Sequence, residues 1–591
     1  MNRQLSQKLM LSGLQLIVFV LFYGVGVKAA NAENVESESL ADSNFFISQQ
    51  LPPVQDLQVP PPSSLPLPQL PPTLPPPSDL LPPTPTTPAP NQLPPDVPQT
   101  IVVERFEVVG STVFSPQELA EVTEEFTNRP ISLAELFQVR SKVTDLYVKN
   151  GYLTSGAFIP PQDVESGVVT IQVLEGKLED IVVTGTGRLN PNYVRSRIAI
   201  ANRTPVNQQQ LLEALRLLQQ NPLIENLSAE LSTGSRPGTN ILEVKVREAK
   251  TFDTDIIFDN GRSPSVGSFR RRLSLSEANL LGIGDQLTLG YTNTDGSNGF
   301  DASYTLPLNP RNGTLTFSYS QADSDVIEQP FNVLDIQSSA NYYDLTYRQP
   351  LYQTSQQEFT LGLTASHRDS QASYIEGLRI PFPALGADDG RTKVSAIRFF
   401  QEWTSRSSQE VFAVRSQFSQ GIDVLNATIN EDAPDSRFFS WQGQAQWARL
   451  LAPDTLLLVR SNTQLASRTL LPLEQFGIGG VGSVRGYRQD YLLTDNGTLL
   501  STEVYIPIVR APKMDGLLQV IPFLDFGLGW NNSGRQNPET NTLIGTGLGL
   551  RWTQNNLTAR FDWGIPLVSV DSQDKTWQEN GLYFYLQYNP F

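Results

Sequence analysis

From Thr251 onward the sequence loses helical periodicity and alternates with a period of two, in segments of about ten residues separated by Gly, Asn, Asp and Pro turns. Leu315, Phe317 and Tyr319 alternate with Thr314, Thr316, Ser318 and Ser320. Phe439, Trp441, Ala445 and Trp447 alternate with Ser440, Gln442, Gln444 and Gln446, and Leu582, Phe584, Leu586 and Tyr588 with Tyr583, Tyr585 and Gln587. A soluble sandwich shows the same period. Roughly sixteen such segments in one unbroken run instead predict a single transmembrane β-barrel, which leaves no unpaired edge in lipid. A content of 39% apolar residues agrees, because the strands of such a wall are only half apolar.

The amino-terminal part is organised differently. Arg3 and Lys8 precede an apolar run from Leu9 to Val27, and Ala30-Asn31-Ala32 gives a small-residue cleavage pattern, so residues 1–32 read as a signal peptide. Residues 33–50 are a polar tail that could form a short plug helix. Residues 51–99 are a proline-rich linker: 20 of the 44 prolines fall between Pro52 and Pro98. With few backbone donors and fixed φ angles this stretch predicts an extended polyproline II spacer.

Two α+β units follow. Over 100–176, Ile101–Val109 reads as a strand, Ser115 caps a helix, Leu133–Asn150 is an amphipathic helix, and Tyr152–Ile159 and Val168–Leu174 complete a three-stranded sheet. Over 177–249 the order repeats, with strands at Leu178–Thr184, Leu227–Leu231 and Ile241–Arg247 and helices at Asn192–Ala201 and Asn207–Gln220. The barrel occupies 250–591 and carries one long loop, 471–496.

Composition narrows the chemistry. Without residues 1–32 the chain has 40 basic and 60 acidic residues, a surplus that repels nucleic acid. It has no cysteine and a single histidine, His367, in a strand-like stretch, which argues against thiolate or histidine metal sites and against histidine triads. No acid-base constellation converges, so an enzyme is not predicted, nor a cofactor. Gly477, Gly479 and Gly482 satisfy a dinucleotide-binding spacing, but no βαβ unit surrounds them.

Loop 471–496 is too long and glycine-rich for a simple hairpin, and such loops are usually functional. It contains Val484-Arg485-Gly486-Tyr487. In the following strand, Phe523-Leu524-Asp525-Phe526-Gly527, a period of two sends Leu524, Phe526 and Leu528 to one face and Phe523, Asp525 and Gly527 to the other. If the apolar trio meets lipid, Asp525 faces the lumen, where a carboxylate must be hydrated or paired. Arg485 is its natural partner if the loop folds inward. In a wet lumen such a pair would position the loop more than it stabilises the protein.

The stretch Glu474–Tyr487 resembles the sixth extracellular loop of outer-membrane polypeptide transporters. Phe106–Gly110, Gly151-Tyr152 and Gly167–Gly176 resemble landmarks of their periplasmic POTRA domains, and two copies are counted. Asn279–Asp285 resembles the early barrel turn, and Thr233-Gly234, Pro237-Gly238 and Ile241–Val246 the end of the second POTRA domain, of the TpsB two-partner secretion transporters (ShlB/FhaC/HecB-like). The resemblance covers about residues 100–591; the long proline tract departs from the family's minimal pattern. It implies that the tip Val484-Arg485-Gly486-Tyr487 reaches into the barrel to the Phe523, Asp525, Gly527 strand motif, with Gly486 permitting the sharp tip and Tyr487 packing beside it. It further implies an unfolded exoprotein as partner, β-helical once folded, a place in the outer membrane among its lipids, and a terminal strand ending on Phe591 as a signal to the barrel-assembly machinery. An insertase or envelope-import barrel, or a passive surface pore, are the alternatives.

Overall fold

The computed structural model describes Leu80 and residues 100–162, 167–375, 380–570 and 576–591. The expected signal peptide, the tail at 33–50 and, apart from Leu80, the proline-rich linker lie outside the described residues.

In the first unit the stretch Ile101–Val109 does not form one strand. It breaks at Glu104: Ile101–Val103 pairs with Arg129–Ile131, and Arg105–Val109 runs parallel to Val168–Leu174. The backbone N–H of Glu104 turns to the carbonyl of Gly167, which divides the two pairings. The last strand of this sheet is only Gly156–Phe158, not Tyr152–Ile159. Gly151, at φ +86, reverses the chain after the helix Leu133–Lys149, and Tyr152 N–H donates back to Tyr147 O. The Tyr152 ring therefore packs edge-on to Phe114 and Tyr147 instead of extending a strand.

Both helices of this unit begin with reciprocal caps. Ser115 and Glu118 cap Pro116–Thr123, and Ser132 and Glu135 cap Leu133–Lys149, each pair satisfying two otherwise orphaned backbone donors. The Ser132 backbone N–H, with the Arg129 guanidinium and the Ser132 hydroxyl, lowers the Glu135 carboxyl from an ordinary 4.5 to about 2. A folded-state value below the unfolded one makes the cap's contribution complete above about 4.5 and lost as pH falls toward 2. Apart from the single helical residue Leu80, the described α-helices belong to the two α/β units. Far-ultraviolet helical melting of the full chain should therefore fall across that window, and Glu135→Gln should flatten the dependence while lowering the melting point at pH 7. An unchanged slope would remove Glu135 from the account.

The second unit pairs Lys177–Thr184 in parallel with Thr239–Glu248, which is antiparallel to Ile224–Thr233. Helices Pro191–Ala199 and Gln208–Gln219 bury Val194, Ile198, Leu211, Leu215 and Leu218 against Leu242, Val244 and Val246. Leu80 belongs to this cluster and is fully buried. Asn207 holds the units together: its side-chain oxygen caps Gln208–Gln219 and its amide donates to Asn150 O at 3.1 Å.

This second unit is also docked onto three turns of the barrel. Arg188 donates to Glu277 at 2.9 Å and to Asn279 O at 3.0 Å, Asn190 N–H to Gly282 O at 2.7 Å, Arg197 to Asn312 at 3.0 Å and Gln220 to Ser355 O at 3.0 Å. The turn Asn279–Asp285 thus serves as a seat for the α/β unit.

The barrel is closed and antiparallel, with sixteen wall strands from Phe252–Asp259 to Leu582–Tyr588. The two-residue piece Ile380–Pro381 pairs only with the end of Gln357–Tyr374, which pairs directly with Arg391–Arg406. Closure comes from Tyr585–Tyr588 paired with Ile256–Asp259. Alternation sorts the faces: Phe317, Leu345, Leu363, Leu524, Leu548 and Trp563 form part of an exposed apolar outer wall, while their neighbours turn inward. His367 is a wall residue whose Nδ1 lies 2.8 Å from Ser395 Oγ.

Candidate functional site

The long loop leaves the strand Thr455–Ala466 and returns through Asn496–Ala511, so Asn496 already belongs to the wall. Within the loop, Phe476–Ile478 and Leu492–Thr494 pair as a small antiparallel ladder. This ladder places the segment between them against the inner wall. Phe476, Ile478, Val484, Tyr487, Leu492 and Leu543 form a buried apolar cluster beneath the tip.

Arg485 lies at the centre of a charged network. Its Nε and Nη2 donate to the two oxygens of Asp525 at 2.7 and 2.8 Å, a bidentate fork, and its backbone N–H donates to Asp525 Oδ2 at 3.2 Å. Its Nη1 is 2.7 Å from Glu503 Oε1 and 3.7 Å from Asp562 Oδ1. The guanidinium carbon also sits 3.5 Å from the centre of the Phe523 ring. Arg560 bridges Glu503 and Asp562, Arg460 reaches Glu503 at 3.3 Å, and Ser501 donates to Asp525 at 2.7 Å. Three cations therefore meet three anions.

Arg485 is 1% exposed and Asp525 0%. The pair is not solvated, contrary to the expectation of a wet lumen, because the loop itself fills the space around it. A buried fork is governed by different energetics from a surface pair: the desolvation already incurred makes loss of either partner expensive.

The rest of the tip is fixed by backbone contacts. Gly486, at φ +102, donates its N–H to Tyr583 Oη at 3.0 Å, and the same hydroxyl donates to Tyr487 O at 2.6 Å. Tyr487 Oη lies 2.9 Å from Ile544 O and 3.0 Å from Val568 O, and accepts from Val568 N–H at 3.2 Å. Wall glycines allow this approach. A Cβ on Gly527 would lie 2.5 Å from Ile478 Cγ2, one on Gly564 would lie 2.6 Å from Gly486 N, and one on Gly545 would overlap Arg485 O.

Sequence reasoning named Val484, Arg485, Gly486, Tyr487, Phe523, Asp525 and Gly527, and the structure brings all seven together. It did not name Glu503, Arg560, Asp562, Tyr583 or, beyond Gly527, the wall glycines Gly545 and Gly564. A signal for the glycines existed: Gly545, Gly547 and Gly549 recur with a period of two, which places all three on one face of Thr542–Gln554.

Comparison with known proteins identifies the family. The sequence profile described as haemolysin secretion/activation protein ShlB/FhaC/HecB matches residues 238–552, more than half of the chain. The chain belongs to this family. A second profile, POTRA domain of ShlB type, matches residues 101–176, the first α/β unit. Among curated relatives, the outer membrane transporter CdiB of Escherichia coli O6:K15:H31 is 25% identical over 79% of each chain. The heme/hemopexin transporter protein HuxB of Haemophilus influenzae is 24% identical over 73% of this chain and 78% of its own. The solved structure of CdiB from Escherichia coli superimposes with a TM-score of 0.64 at 22% identity, covering 86% of this chain and 92% of that one, which supports the fold. This ShlB/FhaC/HecB member is an outer-membrane protein whose POTRA domain lies on the periplasmic side.

Proposed function

We propose that this chain is the transporter of a two-partner secretion pair: it takes a secreted exoprotein in the periplasm and passes it, unfolded, through the barrel to the cell surface. The observation that carries this reading is the docked charged loop inside a closed barrel whose periplasmic turns hold an α/β unit. A chain offered along the α/β units would be handed directly to the mouth of the pore.

Strand addition accounts for capture with little demand on sequence. Arg105–Val109 and Gly156–Phe158 are the edges of the first sheet, and Lys177–Thr184 and Ile224–Thr233 those of the second. An extended exoprotein segment can add to such an edge through main-chain hydrogen bonds. The second α/β unit acts as a second POTRA domain. Folding of the exoprotein outside, into a β-helix, biases the direction of movement. The outer wall meets membrane lipid, and the closing strand Leu582–Tyr588 is the segment offered to the barrel-assembly machinery.

Deletion of the gene, followed by comparison of surface, secreted and outer-membrane proteins, tests the assignment. Loss of one large secreted protein, with other barrels at normal abundance, is the expected outcome. General failure of barrel assembly would identify an insertase instead, and normal export with only altered membrane permeability would identify a passive pore.

A further inference from the structure

The inward loop is fastened at a second place, far from its tip. Its root forms a 3₁₀ turn at Pro472–Glu474, and this turn buries the Glu474 carboxylate. Glu474 Oε1 accepts from Arg368 Nη1 at 3.0 Å and from Arg398 Nη2 at 2.7 Å, while Oε2 accepts from Arg398 Nη1 at 3.0 Å. Arg368 donates as well to Leu473 O at 2.8 Å, so it grips both the side chain and the backbone of the root. Arg398 is oriented in turn by Ser366 at 3.0 Å and Ser419 at 3.2 Å.

These partners lie on different wall strands from those that hold the tip. Arg368 is on Gln357–Tyr374 and Arg398 on Arg391–Arg406, adjacent strands. Asp525 is on Gly516–Trp530, with Arg391–Arg406 separated from it by Glu410–Ile422, Phe439–Ala452, Thr455–Ala466 and Asn496–Ala511. The root and the tip of the loop are therefore fastened to different wall strands, and the segment just after the tip adds an ion pair from Arg488 to Glu328 at 2.9 Å. A contact that exists only to shape a turn would not need a buried carboxylate forked by one arginine and bridged to a second.

We propose that Glu474 is a positioning residue for transport, an independent latch that holds the loop's root to Arg368 and Arg398, so that root and tip release separately. This deepens the transport reading and rests on it. The tip lock controls whether the inner wall near Asp525 is covered; the root latch controls whether the loop can swing away from Gln357–Tyr374 and Arg391–Arg406.

The chain contains no cysteine, so two single-cysteine reporters can be placed in the full-length protein without interference. Thr469→Cys reports the root and Val484→Cys the tip, both positions being buried. Rates of maleimide labelling are measured in membranes, each against its own reporter parent, with heat-modifiable migration used to confirm a folded barrel. Glu474→Ala should raise the rate at 469 about tenfold or more and leave 484 within about twofold; Arg485→Ala should do the reverse. Arg398→Ala should open 469 like Glu474→Ala, and the double variant should add nothing. Glu474→Gln, which keeps the shape of the side chain, is the second variant should Glu474→Ala misfold, with the same outcome expected. If either substitution opened both reporters equally, the loop would have one cooperative lock and the proposal would be wrong. These rates do not depend on cargo, so failure of the secretion assignment would leave them standing.

Discussion

Arg485→Ala is expected to cut export of the partner protein by about tenfold or more while the barrel remains folded. The substitution leaves Asp525 buried without the cation that forks it and removes one of three cations from Glu503, and breaking a buried pair of this kind costs about 3–5 kcal/mol. At about 1.4 kcal/mol per decade, that shifts the docked loop by two or more powers of ten toward its undocked state. The Phe523 ring also loses its guanidinium. Asp525→Ala should be milder, because Glu503 still holds Arg485. Arg485→Lys should not restore function, since a single ammonium cannot fork Asp525 and reach Glu503 together. Immunoblots of secreted and cell-associated partner protein decide it; unchanged export in both alanine variants would disconnect the tip from transport.

The second large effect is expected from one methyl group. Gly545→Ala builds a Cβ that overlaps the carbonyl oxygen of Arg485, a backbone atom that cannot move without carrying the tip away from the wall. Overpacking of this sort usually costs about 1–3 kcal/mol when side chains can yield, and more where only backbone is in the way. Gly545→Ala should therefore undock the tip and reduce export to the level of Arg485→Ala, although no charge has been removed. Gly482→Ala is the control: nothing lies within 4 Å of its Cβ, and it should export normally. Proteolytic sensitivity of the loop reads both variants directly. Normal export and a protected loop in Gly545→Ala would show that the seat is looser than the contact requires.

What was legible in the sequence, and what was not, follows from the range of the interactions. The sixteen-strand wall and the inward direction of Asp525 are local consequences of a two-residue period, visible in Phe523 to Gly527 without any partner. The Val484–Tyr487 motif was legible as a resemblance. Glu503, Arg560 and Asp562 were not, because they sit on strands whose mutual approach is set by the curvature of the closed wall, and no linear pattern records which inward groups face each other across it. The dryness of the Arg485–Asp525 pair was misjudged for a related reason. Its burial accompanies the docking of the loop, whose Ile478, Val484 and Leu492 belong to a buried apolar cluster. The breaks at Glu104 and Gly151 were hidden because each depends on a backbone bond, to Gly167 and from Tyr152 to Tyr147, that apolar patterning does not encode.

The balance of the buried network has an implication for the return stroke. With the tip in place, Arg485, Arg560 and Arg460 match Asp525, Glu503 and Asp562. Were the tip to leave, these paired groups would lose one cation, and Asp525 and Glu503 would draw the Arg485 guanidinium back, less strongly as ionic strength rises.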